Sequence, residues 1–175
     1  DTNTVLALWM FRDPALMTLR EWIEAGNCRL FSREDALEEL RQVLAYRQFG
    51  LDEVPQRSIH QTYRSNLTNW SDPTDGTSTR ELVALPNCRD TDDQKFLEIA
   101  IKAQATHLVT RDKALLKLAR HRSIRNRFAI LTPEHLLAAM LSVRAVPKYR
   151  GLLTDTHLAN DTQSTRLPSA CIGKK

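Results

Sequence analysis

Glycine is scarce, with five in 175 residues, and each falls at a break between expected elements. No glycine-rich phosphate loop can be assembled from them, which argues against nucleotide-binding enzymes of the Walker or Rossmann kind. The three cysteines, Cys28, Cys88 and Cys171, are an odd number without paired spacing. They suit a reducing cytoplasm better than a disulfide framework or a zinc site. The five histidines show no ligand or triad spacing. No apolar run approaches the ~20 residues of a membrane helix, and no signal peptide is visible. A strong excess of one charge is missing as well. The 25 basic and 21 acidic side chains leave +4, which permits a polyanion partner without demanding one. Apolar residues make up 42% of the chain, enough for one core.

What is present is an alternation of helix and strand signals. Val5, Leu6, Leu8 and Trp9 begin a short apolar helix. Asp13-Pro14 restarts a helix, with Asp as N-cap and Pro in the first turn, and Gly26 stops it. Cys28 to Phe31 reads as a short strand. Ser32 with Asp35 resembles a capping box, opening a helix with Ala36, Leu37, Leu40, Val43 and Leu44 on one face that ends near Gly50. A further helix is expected from about Val54 to Tyr63. Residues 66–87, rich in Ser, Thr, Asp, Asn and Pro, read as a surface loop with a short strand near its end. Helix, strand, helix and strand follow over 93–105, 107–110, 113–122 and 128–131. Thr132-Pro133 caps a last helix. This order predicts an α/β fold, a parallel sheet with helices on both faces. The domain is expected over 1–144, and 145–175, which lacks an apolar period, as a disordered tail.

Four acidic positions stand out. Asp112 closes the apolar stretch His107-Leu108-Val109-Thr110-Arg111 and opens a helix, the carboxyl end of a strand. Asp93 falls in the arc of Phe96, Leu97, Ala100 and Ile101, with Lys95, Glu98 and Lys102 opposite. Glu39 borders the stripe of Ala36, Leu40 and Val43, while Glu38 points to solvent. Asp1 opens Asp1-Thr2-Asn3 ahead of an apolar helix. Carboxylates at the carboxyl ends of parallel strands converge on the crevice where such sheets bind ligands. They repel unless a hard, oxygen-seeking cation neutralises them. The set therefore reads as a Mg2+ or Mn2+ site, a kind that mostly handles phosphate esters. Plain alternatives stand beside each residue: a helix N-cap for Asp112 and Asp93, a turn for Asp1, and a solvated pair with Arg41 or Arg47 for Glu39.

Lys113, Lys117, Arg120, Arg122, Arg125 and Arg127 crowd the fifteen residues after Asp112. They would guide a polyanion toward the acidic crevice, or they form a solvated helix face. Tyr63, Trp70 and Trp9 are candidates for stacking on bases, although core packing suits Trp9 better.

The stretches DTNTVLALW, FSREDALEELRQVL, LPNCRDTDDQKFLEIAIKAQATHLVTRDKALL and ILTPEHLL together resemble the PIN-domain ribonucleases. The resemblance is strongest to the branch described as toxin components of bacterial toxin–antitoxin systems. It covers residues 1–141 in the family's order and spacing. It implies a parallel sheet sandwiched by helices and an acidic site that binds Mg2+ or Mn2+ for cleavage of single-stranded RNA. By motif, the catalytic acids would be Asp1, Glu39, Asp93 and Asp112. Asp1, Asp93 and Asp112 would hold the metal, and Glu39 would bind a second ion or orient the water. Thr2, Asn3 and Thr110 would support them from behind. The implied partners are single-stranded RNA and a cognate antitoxin protein, with a homodimer left open and no membrane. The family also carries an apolar strand directly before its DTN, which this sequence, starting at Asp1, does not contain. A catalytically silent PIN-like module that binds RNA or protein is the competing expectation. A phosphohydrolase with a nucleophilic aspartate is disfavoured, because Asp1-Thr2-Asn3 lacks the second aspartate.

Overall fold

The computed structural model describes residues 1–68 and 85–145. The chain divides into two units, Asp1–Met140 and Leu141–Lys175, and the first carries every element discussed below except the end of its last helix. Most of the expected loop, its short strand, Trp70 and the tail beyond Ala145 lie outside the described residues.

The chain opens with α1, Thr2–Val5, which continues as a π-helical turn over Leu6–Met10. The bond from Phe11 N to Leu6 O, 2.8 Å, closes the wider π ring. Leu6, Ala7, Leu8 and Trp9 are all buried, as expected of a helix that is apolar all round. Asp13 Oδ1 accepts from Ala15 N at 3.0 Å and starts a 3-10 turn, Pro14–Leu16, that leads into α2, Met17–Glu24. The single helix expected over this stretch is thus split by the tighter turn that Pro14 opens. Gly26, at φ +74°, ends it in the left-handed conformation that glycine tolerates.

The strand expected at 28–31 is reduced to one parallel bridge, Leu30 with Leu67. α3 spans Glu34–Leu44 and buries Ala36, Leu37, Leu40 and Leu44. The expected capping box does not form. Asp35 is held instead by a two-bond fork from Arg33, at 2.9 and 2.7 Å, and a charge-assisted bidentate pair outcompetes a serine cap. α3 stops at Leu44, short of Gly50, because a separate 3-10 turn occupies Arg47–Phe49. α4 spans Glu53–Ser65. Its Tyr63 is buried against Trp9, ring centroids 5.4 Å apart. Neither ring is a surface for stacking bases.

α5, Gln94–Lys102, leads to β1, His107–Val109. α6, Lys113–Leu118, crosses to β2, Ala129–Leu131. The two strands pair in parallel, with Leu108 opposite Ile130, and a parallel pair requires such a crossover. α6 is shorter than its apolar period suggested. The chain after it turns back to bury Ile124 and Phe128. α7, Pro133–Ala145, follows. The result is an α/β arrangement with a parallel sheet and abundant helices. Among the described residues, no helix is long and apolar enough to cross a membrane.

Two apolar clusters hold these elements. One gathers Leu6, Trp9, Leu16, Leu19, Leu40 and Leu44. The other gathers Leu97, Leu108, Leu115, Ile124 and Ile130 with Ala36. α3 contributes to both, so its remaining face is held rigidly. Leu115 is fully buried, and Leu115→Ala is expected to cost roughly 2–5 kcal/mol. Val54 is 69% exposed, and Val54→Ala is expected to stay within about 0.5 kcal/mol. Urea unfolding midpoints of both variants check this contrast.

Candidate metal centre

Alternate residues of a strand turn their backbone groups to opposite edges. Thr110 N bonds to Leu131 O at 3.0 Å, on the β2 side. Val109 O therefore faces the other edge of β1, where it accepts from Asp1 N at 3.0 Å and from Thr4 Oγ1 at 3.2 Å. Asp1 is thereby fixed beside the carboxyl end of β1, close to the turn that carries Asp112.

Its carboxylate is held at both oxygens. Oδ1 caps α1 by accepting from Thr4 N at 2.8 Å. Oδ2 accepts a hydrogen bond from Thr110 Oγ1. The same hydroxyl accepts from Asp112 N at 2.9 Å, so Thr110, with no exposed surface, joins Asp1 to the turn that presents Asp112. Asp112 Oδ1 accepts from Ala114 N and Leu115 N at 2.7 and 2.9 Å. It is an N-cap, as the plain alternative held, but capping uses only Oδ1.

Asp93 stands at the start of α5 without capping it through its side chain. The neighbouring Asp90 closes its own turn onto Asp92 N at 3.0 Å. Burial raises the Asp93 pKa above the usual carboxylate range, and the charges of Asp112, Asp90 and Glu39 raise it further, against a pull from Lys95. Glu39 and Asp93 also act on the backbone nitrogen of Asp1. Burial disfavours positive charge at that position, while the two carboxylates favour it. Asp1, Glu39, Asp93 and Asp112 thus share one electrostatic field, although they come from separate parts of the chain.

Glu39 pairs with neither Arg41 nor Arg47. Arg41 forks onto Glu38 instead, and Glu39 forms an ion pair with Lys95 from α5. The helical wheel put Lys95 on the solvent side; its side chain is only 16% exposed. A long lysine stem can bring its ammonium back over the helix end when acids wait there. Thr2 is buried, but Asn3 is exposed, and among the described residues its side chain supports no carboxylate. Thr4 and Lys95 were missed by sequence reasoning. Thr4 could have been found from its place three residues after a capping Asp; Lys95 carried no signal.

Among the described residues, no three His, Cys, Asp or Glu side chains are gathered into a ready-made metal cage. The donor set nevertheless fits a hard cation. It is all oxygen, burial and then the neighbouring carboxylates make Asp93 hold its proton more tightly, and magnesium keeps several waters while taking only one or two carboxylates from the protein. The residues of the basic cluster, Lys113, Lys117, Arg120, Arg122, Arg125 and Arg127, are all exposed, on and just beyond α6.

Two outcomes test this geometry in EDTA. Thr110→Val removes the hydroxyl but keeps the shape, leaving Asp112 N and Asp1 Oδ2 without their partner. It is expected to cost on the order of 1–3 kcal/mol in urea unfolding, with Thr110→Ser recovering most of the loss. Asp93 binds protons in the folded state that the unfolded chain has already released, so its contribution to stability falls as pH rises through its raised pKa. Asp93→Asn is therefore expected to melt above the parent at pH 7. The gain should vanish below the ordinary Asp range, and a gain that is the same at every pH would refute the crowding.

A family model described as PIN domain matches residues 1–114, a span that includes all four acids, Thr110 and Lys95 but stops short of most of the basic cluster. No curated protein and no solved structure matches the chain. With nearly two thirds of its length matched, the chain belongs to the PIN-domain family, a nuclease superfamily.

Proposed function

We propose that this protein is a metal-dependent endoribonuclease that cleaves single-stranded RNA, acting as the toxin of a toxin–antitoxin pair. The observation that carries the reading is the single buried hydroxyl of Thr110 fastening Asp1 to the Asp112 turn, with Asp93 protonated more readily than usual beside them. An arrangement that only capped helices would not bring a non-capping aspartate into the same field.

In this reading Asp1, Asp93 and Asp112 hold one Mg2+ or Mn2+. Such an ion, when bound, lowers the pKa of a water and offsets charge on phosphoryl oxygens. The chain's own work is to keep the acids in place. Thr4 N and Thr110 fix the Asp1 carboxylate in one rotamer. The first turn of α6 fixes Asp112 through the amides of Ala114 and Leu115. Thr110, Leu108 and Leu115 are buried, which keeps water from the packing that supports the acids. The exposed Lys117 and Arg120 draw the phosphate backbone toward the site.

Cleavage of single-stranded RNA is expected with Mg2+ or Mn2+ and not with EDTA. Asp112→Asn is expected to abolish it while melting no lower than the parent, since asparagine caps a helix as well as aspartate does and no longer repels Asp93. Cutting by that variant, or in EDTA, would refute the reading; RNA binding in EDTA with no cutting under any metal would favour a silent binding module. Lys117→Ala with Arg120→Ala is expected to weaken RNA binding and to reduce its salt slope by roughly 0.7 for each phosphate no longer neutralised. The toxin role is checked by growth arrest on expression, and its relief by the product of an adjacent gene.

A further inference from the structure

Lys95 pairs with one of the four acids. It comes from α5 and meets Glu39 on α3, so the pair joins two helices that are distant in sequence, unlike the surface pairs within one helix such as Arg57 with Glu53. The ammonium also lies 5.4 Å from the ring centroid of Phe96. Its charge reaches Asp93 and Asp35 as well as Glu39. A half-buried ammonium is stable only with such partners. The opposing acids gain equally, since four carboxylates in one crevice repel one another.

We propose that Lys95 is the built-in cation of this crevice, occupying with Glu39 the place that a second divalent ion would take, so that the site binds one metal ion and Glu39 is not among its ligands. The inference rests on the metal-dependent reading above and narrows it. Two-ion phosphodiesterases hold their cations about 3.5–4 Å apart, one on each side of the reacting phosphate. Here a tethered ammonium stands on the Glu39 side. It supplies a single positive charge without the need to capture a metal, and Glu39 holds it in place. Lys95 is thus a positioning residue for charge, and Glu39 acts through it. An ammonium is also monovalent and cannot polarise a water as a divalent ion does, so water activation is left to the Asp1, Asp93 and Asp112 side.

The test is Mn2+ titration of the full chain at neutral pH, read by the electron paramagnetic resonance signal of free Mn2+. One equivalent is expected for the parent and for Lys95→Arg. Lys95→Met, which keeps the stem and removes the charge, is expected to bind a second equivalent at Glu39. The double variant Lys95→Met with Glu39→Gln should return to one. Glu39→Gln alone is expected to keep one equivalent, with affinity changed by less than the ~10-fold typical of losing a group that supports a metal. That variant carries the test even if Lys95→Met does not fold, which near-ultraviolet circular dichroism would show. Two equivalents in the parent, one in folded Lys95→Met, or a loss of the single site in Glu39→Gln would each overturn the proposal while leaving the metal-dependent reading standing. No Mn2+ bound by the parent would instead overturn that reading, and this inference with it.

Discussion

One hydroxyl organises the centre of this protein. Thr110 Oγ1 gives its proton to the Asp1 carboxylate and takes one from Asp112 N, and it is sealed from water. Both bonds run to groups whose direction matters. The first sets the Asp1 rotamer, and through Oδ1 sets where α1 begins. The second sets the turn after β1, and so the point where Asp112 opens α6. In a dry site each bond is stronger than it would be in water, and costlier to lose. The start of the chain, the end of the strand and the start of the next helix are in effect one unit.

That unit concentrates negative charge, and the rest of the site manages it. Asp112 is stabilised by the amides of α6. Asp1 is stabilised by Thr4 N and Thr110. Glu39 has Lys95. Asp93 does not cap its own helix and is pushed toward its protonated form. A carboxylate left this way is a liability for folding that makes sense as a place held ready for a cation, and proteins commonly concede stability at such sites. The residues around it are not soft. Leu97, Leu108 and Leu115 pack in one cluster, while α3 carries Glu39 between that cluster and the one around Trp9. Glu39 therefore sits on a helix fixed by packing on both sides, while Asp1, Asp93 and Asp112 stand at the N-caps of α1, α5 and α6.

Ion pairs away from the crevice tie its frame together. Arg111, next to Asp112, reaches both Asp13, at 3.0 Å, and Glu134. Arg33 holds Asp35 and also reaches Glu98 at 3.0 Å, linking α3 to α5 near the Glu39–Lys95 pair. These are partly exposed and individually worth little, about 0–1 kcal/mol. Their contribution is to direction: Arg33 joins α3, which carries Glu39, to α5, which Asp93 opens, and Arg111 ties the turn before Asp112 to Asp13 and to α7.

Local signals in the sequence were enough for most helix starts and stops. Asp13-Pro14, Gly26 and Asp112 act through backbone bonds within a few residues, so caps and stops are legible without a fold. The apolar period of α3, α4 and α5 is legible for the same reason, and the family motif places Asp1, Glu39, Asp93 and Asp112 in order. Where reach or competition decided, the sequence alone was silent or misleading. The strand at 28–31 shrank to a bridge because strand pairing needs a partner elsewhere in the chain. Asp35 left its capping role because Arg33 was nearer to it in space than the pattern implied. Tyr63 went inward because Trp9 offered a ring to pack on. Lys95 turned toward Glu39 because a flexible stem follows charge rather than helical phase. Helical phase and capping are set over one turn of chain, so the sequence by itself determined them. The partner of a long charged side chain is set by what folding brings within its reach, and only the tertiary structure decided that.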